Sequence, residues 1–123
     1  MRCLIVIAAW LSLALTASAE PPNKPAFLQQ GDNADLAYCF VILKDNKYRP
    51  NPRDSNLTFH YLTRAAYLHS ILQERAAGTW PTIRDDVMQW TVKAIEEDLA
   101  TKGALRLSPQ DCLDLRVTES EAE

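Results

Sequence analysis

Two cysteines, Cys39 and Cys112, remain in this chain once its N-terminal segment is set apart. Residues 1–19 have a basic residue at position 2, continue with an apolar stretch too short to cross a bilayer, and finish at Ala-Ser-Ala, which is typical of a cleaved export signal. An uncleaved N-terminal anchor is the alternative. Cleavage after Ala19 also removes Cys3. Because two lone cysteines of an exported protein usually pair, we expect a Cys39–Cys112 disulfide, with two unpaired buried thiols as the alternative.

The predicted exported chain is about the size of one domain with a single modest core. We divide it into an export signal over residues 1–19, a proline-rich lead-in over 20–31, a helical domain over 32–117 and an acidic tail over 118–123. A cross-link between Cys39 and Cys112 closes the long loop between them and so removes denatured-state entropy worth about 4 kcal/mol, which is a large share of a small domain's stability.

Charge argues against two classes of partner. Of the 13 Lys and Arg side chains, Arg2 lies in the signal, so 12 remain against 16 Asp and Glu, a formal net charge of −4. We therefore expect no nucleic-acid partner and no general affinity for anionic membranes, while a local basic site for an acidic protein, an anionic glycan or a lipid headgroup is compatible with this charge. No segment after the signal has the length and hydropathy of a membrane span, so we expect no stable membrane insertion.

The two cysteines fall in the first and last of four predicted helices. The first follows the Gly31-Asp32-Asn33 turn and covers residues 34–43, whose nearly unbroken apolar run predicts a helix buried on all sides. The last is short and starts at Ser108-Pro109-Gln110-Asp111, which resembles a capping box with proline at the first helical position. We therefore expect an all-α domain, with two long and two short helices, that is closed by one disulfide.

The second predicted helix covers residues 57–77, with Asn56 as its cap and Gly78 as its terminator. Helical spacing places one apolar strip on its core side. That strip consists of Leu57, Tyr61, Ala65, Leu68 and Leu72. A second strip, Phe59, Leu62 and Ala66, lies on the opposite side. We expect the lead-in residues 26–28 to cover it, and the alternative is an apolar patch for a partner.

The third predicted helix opens with a capping box at Thr82 and Asp85 and runs to Lys102. Asp98 projects into the middle of its apolar arc, where a carboxylate is costly unless it is paired. Pairing with Arg64 or Arg106 would make Asp98 structural, whereas an unpaired Asp98 would be a candidate functional carboxylate.

The connection between the first two helices is the candidate contact surface. Lys47, Arg49 and Arg53 surround Tyr48 in a chain that is otherwise acidic. Arg and Tyr are enriched at protein interfaces, and long loops in compact domains are often functional. The alternative is a solvated loop whose charges only keep the chain soluble.

The sequence contains no pattern typical of a catalytic, cofactor or metal site. His60 and His69 point to opposite sides of one helix, so they cannot share a metal ion. The chain has neither a nucleophile elbow nor a phosphate-binding glycine loop. We therefore expect no enzyme activity and no cofactor.

These observations predict a periplasmic or secreted interaction protein, such as an inhibitor, an immunity protein or a chaperone-like domain, with a protein partner in the cell envelope. The predicted contact residues are Lys47, Tyr48, Arg49, Arg53, Phe59 and Leu62. The alternative is a small-molecule or lipid-binding module with an apolar pocket among the first three helices, where Asp98 or a nearby tyrosine orients the ligand.

Overall fold

The computed structural model describes residues 20–117, which form four α-helices and no β-strand. The helices are α1 (Asn33–Lys44), α2 (Ser55–Ala76), α3 (Trp80–Lys102) and α4 (Pro109–Asp114), with short 3-10 turns at Ala26–Gln29 and Asn46–Tyr48. The predicted all-α fold with two long and two short helices is confirmed. The predicted export signal, residues 1–19, and the acidic tail, residues 118–123, lie outside the described residues.

Helix α1 lies at the centre of the domain because nearly all of its side chains are apolar. Its buried apolar residues are Leu36, Ala37, Tyr38, Cys39, Val41, Ile42 and Leu43. A helix that is hydrophobic all round has to be covered on every side. It packs against the other three helices and the first 3-10 turn, whereas α2 and α3 make few contacts with each other. The predicted buried first helix is confirmed.

The predicted disulfide is also confirmed. It joins Cys39 of α1 to Cys112 of α4, with the two Cα atoms 5.2 Å apart and both residues fully buried. Arg64 of α2 adds a second tie, because its guanidinium donates hydrogen bonds to the carbonyl oxygens of Cys112, at 3.4 Å, and Leu115. A helix as short as α4 is not stable alone, so these covalent and polar links hold it on the core.

Helix α2 starts two residues before its predicted first residue. The carboxylate of Asp54 accepts a hydrogen bond from the backbone N–H of Leu57 at 3.0 Å, and this contact satisfies a donor of the first turn. Asn56, the predicted cap, lies within that turn, so the prediction is wrong. The helix ends shortly before Gly78, whose φ of +89° is in the left-handed region that favours glycine.

The predicted start of α3 is wrong and that of α4 is confirmed. Helix α3 begins at Trp80 with Pro81 in its first turn, so Thr82 lies inside the helix and is not its cap. In α4 the capping box forms in both directions. The Asp111 N–H donates to the Ser108 hydroxyl and the Ser108 N–H donates to the Asp111 carboxylate, each at 3.0 Å.

The proline-rich lead-in packs along α3 instead of covering α2. Leu28 is buried in the core, and the rings of Phe27 and Trp80 lie 6.1 Å apart. The indole N–H of Trp90 donates to the carbonyl oxygen of Pro21 at 3.3 Å. These contacts use the apolar side chains that we expected to cover the second strip of α2, so that expectation is wrong and the strip is open.

Candidate functional site

Helix α2 has one buried and one exposed apolar strip. On the core side, Tyr61, Ala65, Leu68 and Leu72 are all buried, which confirms the predicted core strip. On the opposite side, 68% of the Phe59 surface and 43% of the Leu62 surface are exposed, and Ala66 is exposed as well. An exposed phenylalanine with apolar neighbours at helical spacing is typical of a contact surface.

The exposed apolar residues belong to a longer uncharged surface, which we call the outer face of α2. The outer face consists of Phe59, Leu62, Thr63, Ala66, Ser70 and Gln73, all of them exposed. These positions recur at intervals of three or four residues and so lie on one side of the helix over four turns. No charge opposes the desolvation of this face by a partner.

Arg49, a predicted contact residue, is only 7% exposed. Its guanidinium donates to the backbone carbonyl oxygens of Leu43 and Lys44, each at 2.9 Å, and to the side-chain oxygen of Asn46. These acceptors lie at the C-terminal end of α1 and just beyond it, where a cation satisfies orphan carbonyls and complements the helix dipole. The expectation that Arg49 is exposed to a partner is therefore corrected: its guanidinium is a helix cap.

The rest of the connection is more open. Lys47 and Arg53 are exposed, and Tyr48 is half-buried with the Lys47 ammonium 5.2 Å from the centre of its ring. Arg53 directly precedes Asp54, the cap of α2, so its positive charge lies at the end of the helix that carries Phe59. The structure therefore leaves Lys47, Tyr48 and Arg53 as the accessible members of the predicted contact loop.

Sequence reasoning missed two features of this region. The apolar strip was predicted from Phe59, Leu62 and Ala66, but the uncharged residues that extend the outer face over two more turns were not part of the prediction. The capping role of Arg49 had a weaker signal in the sequence. Arg49 lies a few residues after the predicted end of the first helix, and basic side chains near a helix end commonly donate hydrogen bonds to its last carbonyl oxygens. Burial of such a residue depends on the packing of its surroundings.

Asp98 is buried as predicted, with 6% of its surface exposed, and it is paired. The hydroxyl of Tyr38 donates to Asp98 Oδ2 at 2.8 Å, and the ammonium of Lys102, one turn along α3, lies 4.0 Å from Oδ1. The Tyr38 hydroxyl also accepts a hydrogen bond from the Arg106 backbone N–H at 2.8 Å. A tyrosine therefore links the buried carboxylate of α3 to α1 and to the segment after α3.

Neither arginine that we expected to pair with Asp98 does so directly. Arg64 holds carbonyl oxygens of α4 and the residues after it, as described above. The Arg106 guanidinium lies 4.8 Å above the ring of Tyr38 and forms an ion pair with Asp35 at 2.9 Å. Asp98 thus has a structural role, but its partners are Tyr38 and Lys102 and not the two arginines.

Burial shifts the titration of Tyr38. Its pKa is raised from 10.0 to about 12, mainly by desolvation and also by the neighbouring Asp98 carboxylate, which accepts the phenolic proton. The hydrogen bond from the Arg106 N–H lowers the pKa and offsets part of the rise. Tyr38 is consequently a neutral hydrogen-bond donor at physiological pH.

A cleft of about 220 Å³ lies between α1 and α3 beside this pair. Tyr38 and Asp98 line it together with Trp90, Lys102 and Arg106. The alternative, ligand-binding hypothesis predicted a pocket in this part of the domain. The cleft is smaller than the roughly 300–1,000 Å³ typical of sites for drug-sized ligands.

Both histidines pack against aromatic rings. His69 is stacked on Phe40 with ring centres 5.0 Å apart and meets the edge of Trp80 at 5.6 Å, and His60 lies beside Phe59. Within residues 20–117, no three His, Cys, Asp or Glu side chains are placed to hold a metal ion. None of the helices described is both long and apolar enough to span a bilayer.

Comparison of the chain with protein-family models, curated proteins and solved structures gives no match. The two surfaces described above, the outer face of α2 and the cleft between α1 and α3, are therefore interpreted from their own chemistry.

Proposed function

We propose that this chain is an exported, non-enzymatic interaction protein that binds another protein through the outer face of α2. The observation that carries the proposal is the exposure of Phe59 and Leu62 on a helix side without charges. A single-domain protein gains little stability from such side chains, whereas a partner that buries them gains apolar contact area. Full burial of one phenylalanine is worth about 2 kcal/mol.

The charge of the connection that precedes α2 indicates the chemistry of the partner. The exposed cations Lys47 and Arg53 lie in the connection that leads into α2. They stand out in a chain whose formal net charge is −3. The occupant that fits both features is a protein segment with an apolar anchor residue for Phe59 and Leu62 and acidic side chains for the two cations.

The proposed location is the periplasm or the extracellular space. The pattern of residues 1–19 supports export, and the Cys39–Cys112 disulfide fits an oxidising compartment. The non-enzymatic role is supported by the packing of both histidines against aromatic rings, which leaves them engaged in structure.

The test is affinity capture from the native cell-envelope or secreted fraction with three forms of the disulfide-bonded protein. They are the wild type, Phe59→Asp, and Gln89→Asp as the matched control on the exposed side of α3. We expect wild type and control to retain the same partner and Phe59→Asp to lose it. With purified components, Phe59→Asp should weaken the affinity by at least about tenfold, as expected for an interface anchor.

Charge reversal tests the chemistry of the partner separately. Arg53→Glu and Lys47→Glu should each weaken binding, mainly through a slower association rate, and the loss should shrink at high salt. Equal affinities of wild type and Phe59→Asp would contradict the proposal. A dimer that forms in analytical ultracentrifugation and is abolished by Phe59→Asp would also overturn it, because the occupant would then be a second copy of this chain.

A further inference from the structure

The cleft between α1 and α3 has chemistry that partner binding at the outer face of α2 does not use. One of its polar groups is the Asp98 carboxylate, which is almost entirely buried. Oδ2 is satisfied by the Tyr38 hydroxyl, but Oδ1 faces only the Lys102 ammonium at 4.0 Å, which is too long for a hydrogen bond. This oxygen therefore keeps the capacity to accept a hydrogen bond from a bound donor.

The rest of the cleft carries charges of both signs, namely the cations of Lys102 and Arg106 and the exposed carboxylate of Glu20. The side chain of Lys102 is 61% exposed, and the guanidinium of Arg106 lies over the ring of Tyr38. One nitrogen of Arg106 forms an ion pair with Asp35. The cleft thus combines a buried carboxylate with two more exposed cations and a second, exposed carboxylate, and the indole of Trp90 and the methyl group of Ala94 form apolar walls.

We infer that this cleft binds a small zwitterion of the amino-acid class. In this arrangement the ammonium of the ligand donates to Asp98 Oδ1, the carboxylate lies between Lys102 and Arg106, and an apolar side chain packs on Trp90. A ligand with only a positive charge would leave the Lys102 and Arg106 cations without a contact, and a ligand with only a negative charge would leave Asp98 Oδ1 without a donor. Only a ligand with both charges satisfies all three groups.

The size of the cleft supports the same class. About 220 Å³ is too little for a drug-sized ligand or a lipid chain, but it suffices for a single amino acid. Tyr38 acts as a positioning residue in this site, because its hydroxyl donates to Asp98 Oδ2 and so orients the carboxylate. The inference uses no residue of the outer face of α2, so it stands or falls independently of the proposed protein partner.

The experiment is a titration of the disulfide-bonded protein, followed by two-dimensional NMR of its backbone amides, with each of the standard L-amino acids at up to about 10 mM. The best binder is then compared with two matched compounds, the amine without the carboxyl group and the acid without the amino group. We expect saturable shifts at residues of the cleft for the amino acid, and affinities at least about tenfold weaker for both analogues.

Two variants tie the binding to the cleft. Lys102→Ala should weaken binding of the amino acid several-fold while its Tm stays close to that of wild type, because the side chain is mostly exposed. Lys93→Ala, on the exposed surface of the same helix, is the matched control and should bind as wild type does. Asp98→Asn should abolish binding, provided that its near-ultraviolet circular dichroism shows a native fold.

Three results would overturn the inference. The first is saturation by none of the amino acids, and the second is an analogue that binds as tightly as the zwitterion. The third is unchanged affinity in Lys102→Ala. Capture that survives Phe59→Asp together with saturable amino-acid binding means that only the protein-partner proposal has failed. Capture that Phe59→Asp abolishes, without saturable binding of any amino acid, means that only the present inference has failed.

Discussion

The two sides of α2 both carry apolar side chains but differ in what covers them. The core side, with Tyr61 and Leu68 at its centre, is buried against the rest of the domain, whereas the outer face around Phe59 is open. The lead-in has the apolar residues to cover the outer face, yet it packs on α3 instead. One strip therefore contributes to folding, and the other is available for binding.

Helix α3 shows what an ordinary exposed side looks like in this domain. Its exposed positions include many charges, namely Arg84, Asp85, Asp86, Lys93, Glu96 and Lys102. Among the exposed positions of α2 only Glu74 is charged, and it directly follows Gln73 at the end of the outer face. Exposed charges keep a helix face solvated, so their scarcity on α2 distinguishes a face suited to contact from one suited to water.

The largest expected effect is a difference in stability between variants of the two strips of α2. Leu68→Ala removes a fully buried side chain and should lower the free energy of unfolding by about 3 kcal/mol, with a fall in Tm of more than about 10 °C. Phe59→Ala, on the outer face, should change the free energy by no more than about 0.5 kcal/mol. Urea unfolding of both variants checks this. A comparable loss in Phe59→Ala would mean that the outer face contributes to folding.

The second prediction applies the same contrast to two cations of the contact loop. Arg49→Met leaves the carbonyl oxygens of Leu43 and Lys44 without their donor and should cost about 2 kcal/mol of stability. Lys47→Met removes an exposed charge and should cost close to nothing. Equal Tm values for the two variants would contradict the assignment of Arg49 as the cap of α1.

The smallest expected effect concerns pH and the buried Tyr38. Its pKa is raised in the folded state, from 10.0 to about 12, so the unfolded chain loses this proton first as the pH rises. Stability from this group is complete below pH 10 and falls between pH 10 and about 12. Between about pH 9 and 11.5, wild type should lose roughly 1–2 kcal/mol more than Tyr38→Phe, a range reduced because the cleft admits water. Parallel pH profiles of the two proteins would contradict this.

Local signals were enough to predict much of the fold. The apolar run of α1, the glycines after α2 and α3, and the capping box at Ser108 each act within a few residues, and the positions they predict agree with the structure. The cysteine pair followed from the composition of the exported chain. The predicted cap of α2, Asn56, is wrong because Asp54, two residues earlier, accepts the hydrogen bond from the first turn instead.

The candidate sites depended on contacts between distant parts of the chain. In the sequence Arg49 resembles a surface cation, and its burial depends on hydrogen bonds to the C-terminal end of α1. Asp98 is hydrogen-bonded to Tyr38, which is 60 positions away in the chain. The path of the lead-in, which decides whether Phe59 is covered, follows from the packing of Phe27 on Trp80. Helical periodicity predicts which side chains share a face but not which neighbour covers that face.

The most direct test of the central claim is photo-crosslinking at the outer face of α2 in the native cell envelope. A benzophenone amino acid replaces Phe59 in one variant and Gln89, on the exposed side of α3, in the other. We predict that the probe at position 59 links the chain to one protein in good yield and that the probe at position 89 does not. Crosslinking at neither position, or at both equally, would contradict a partner that binds through the outer face of α2.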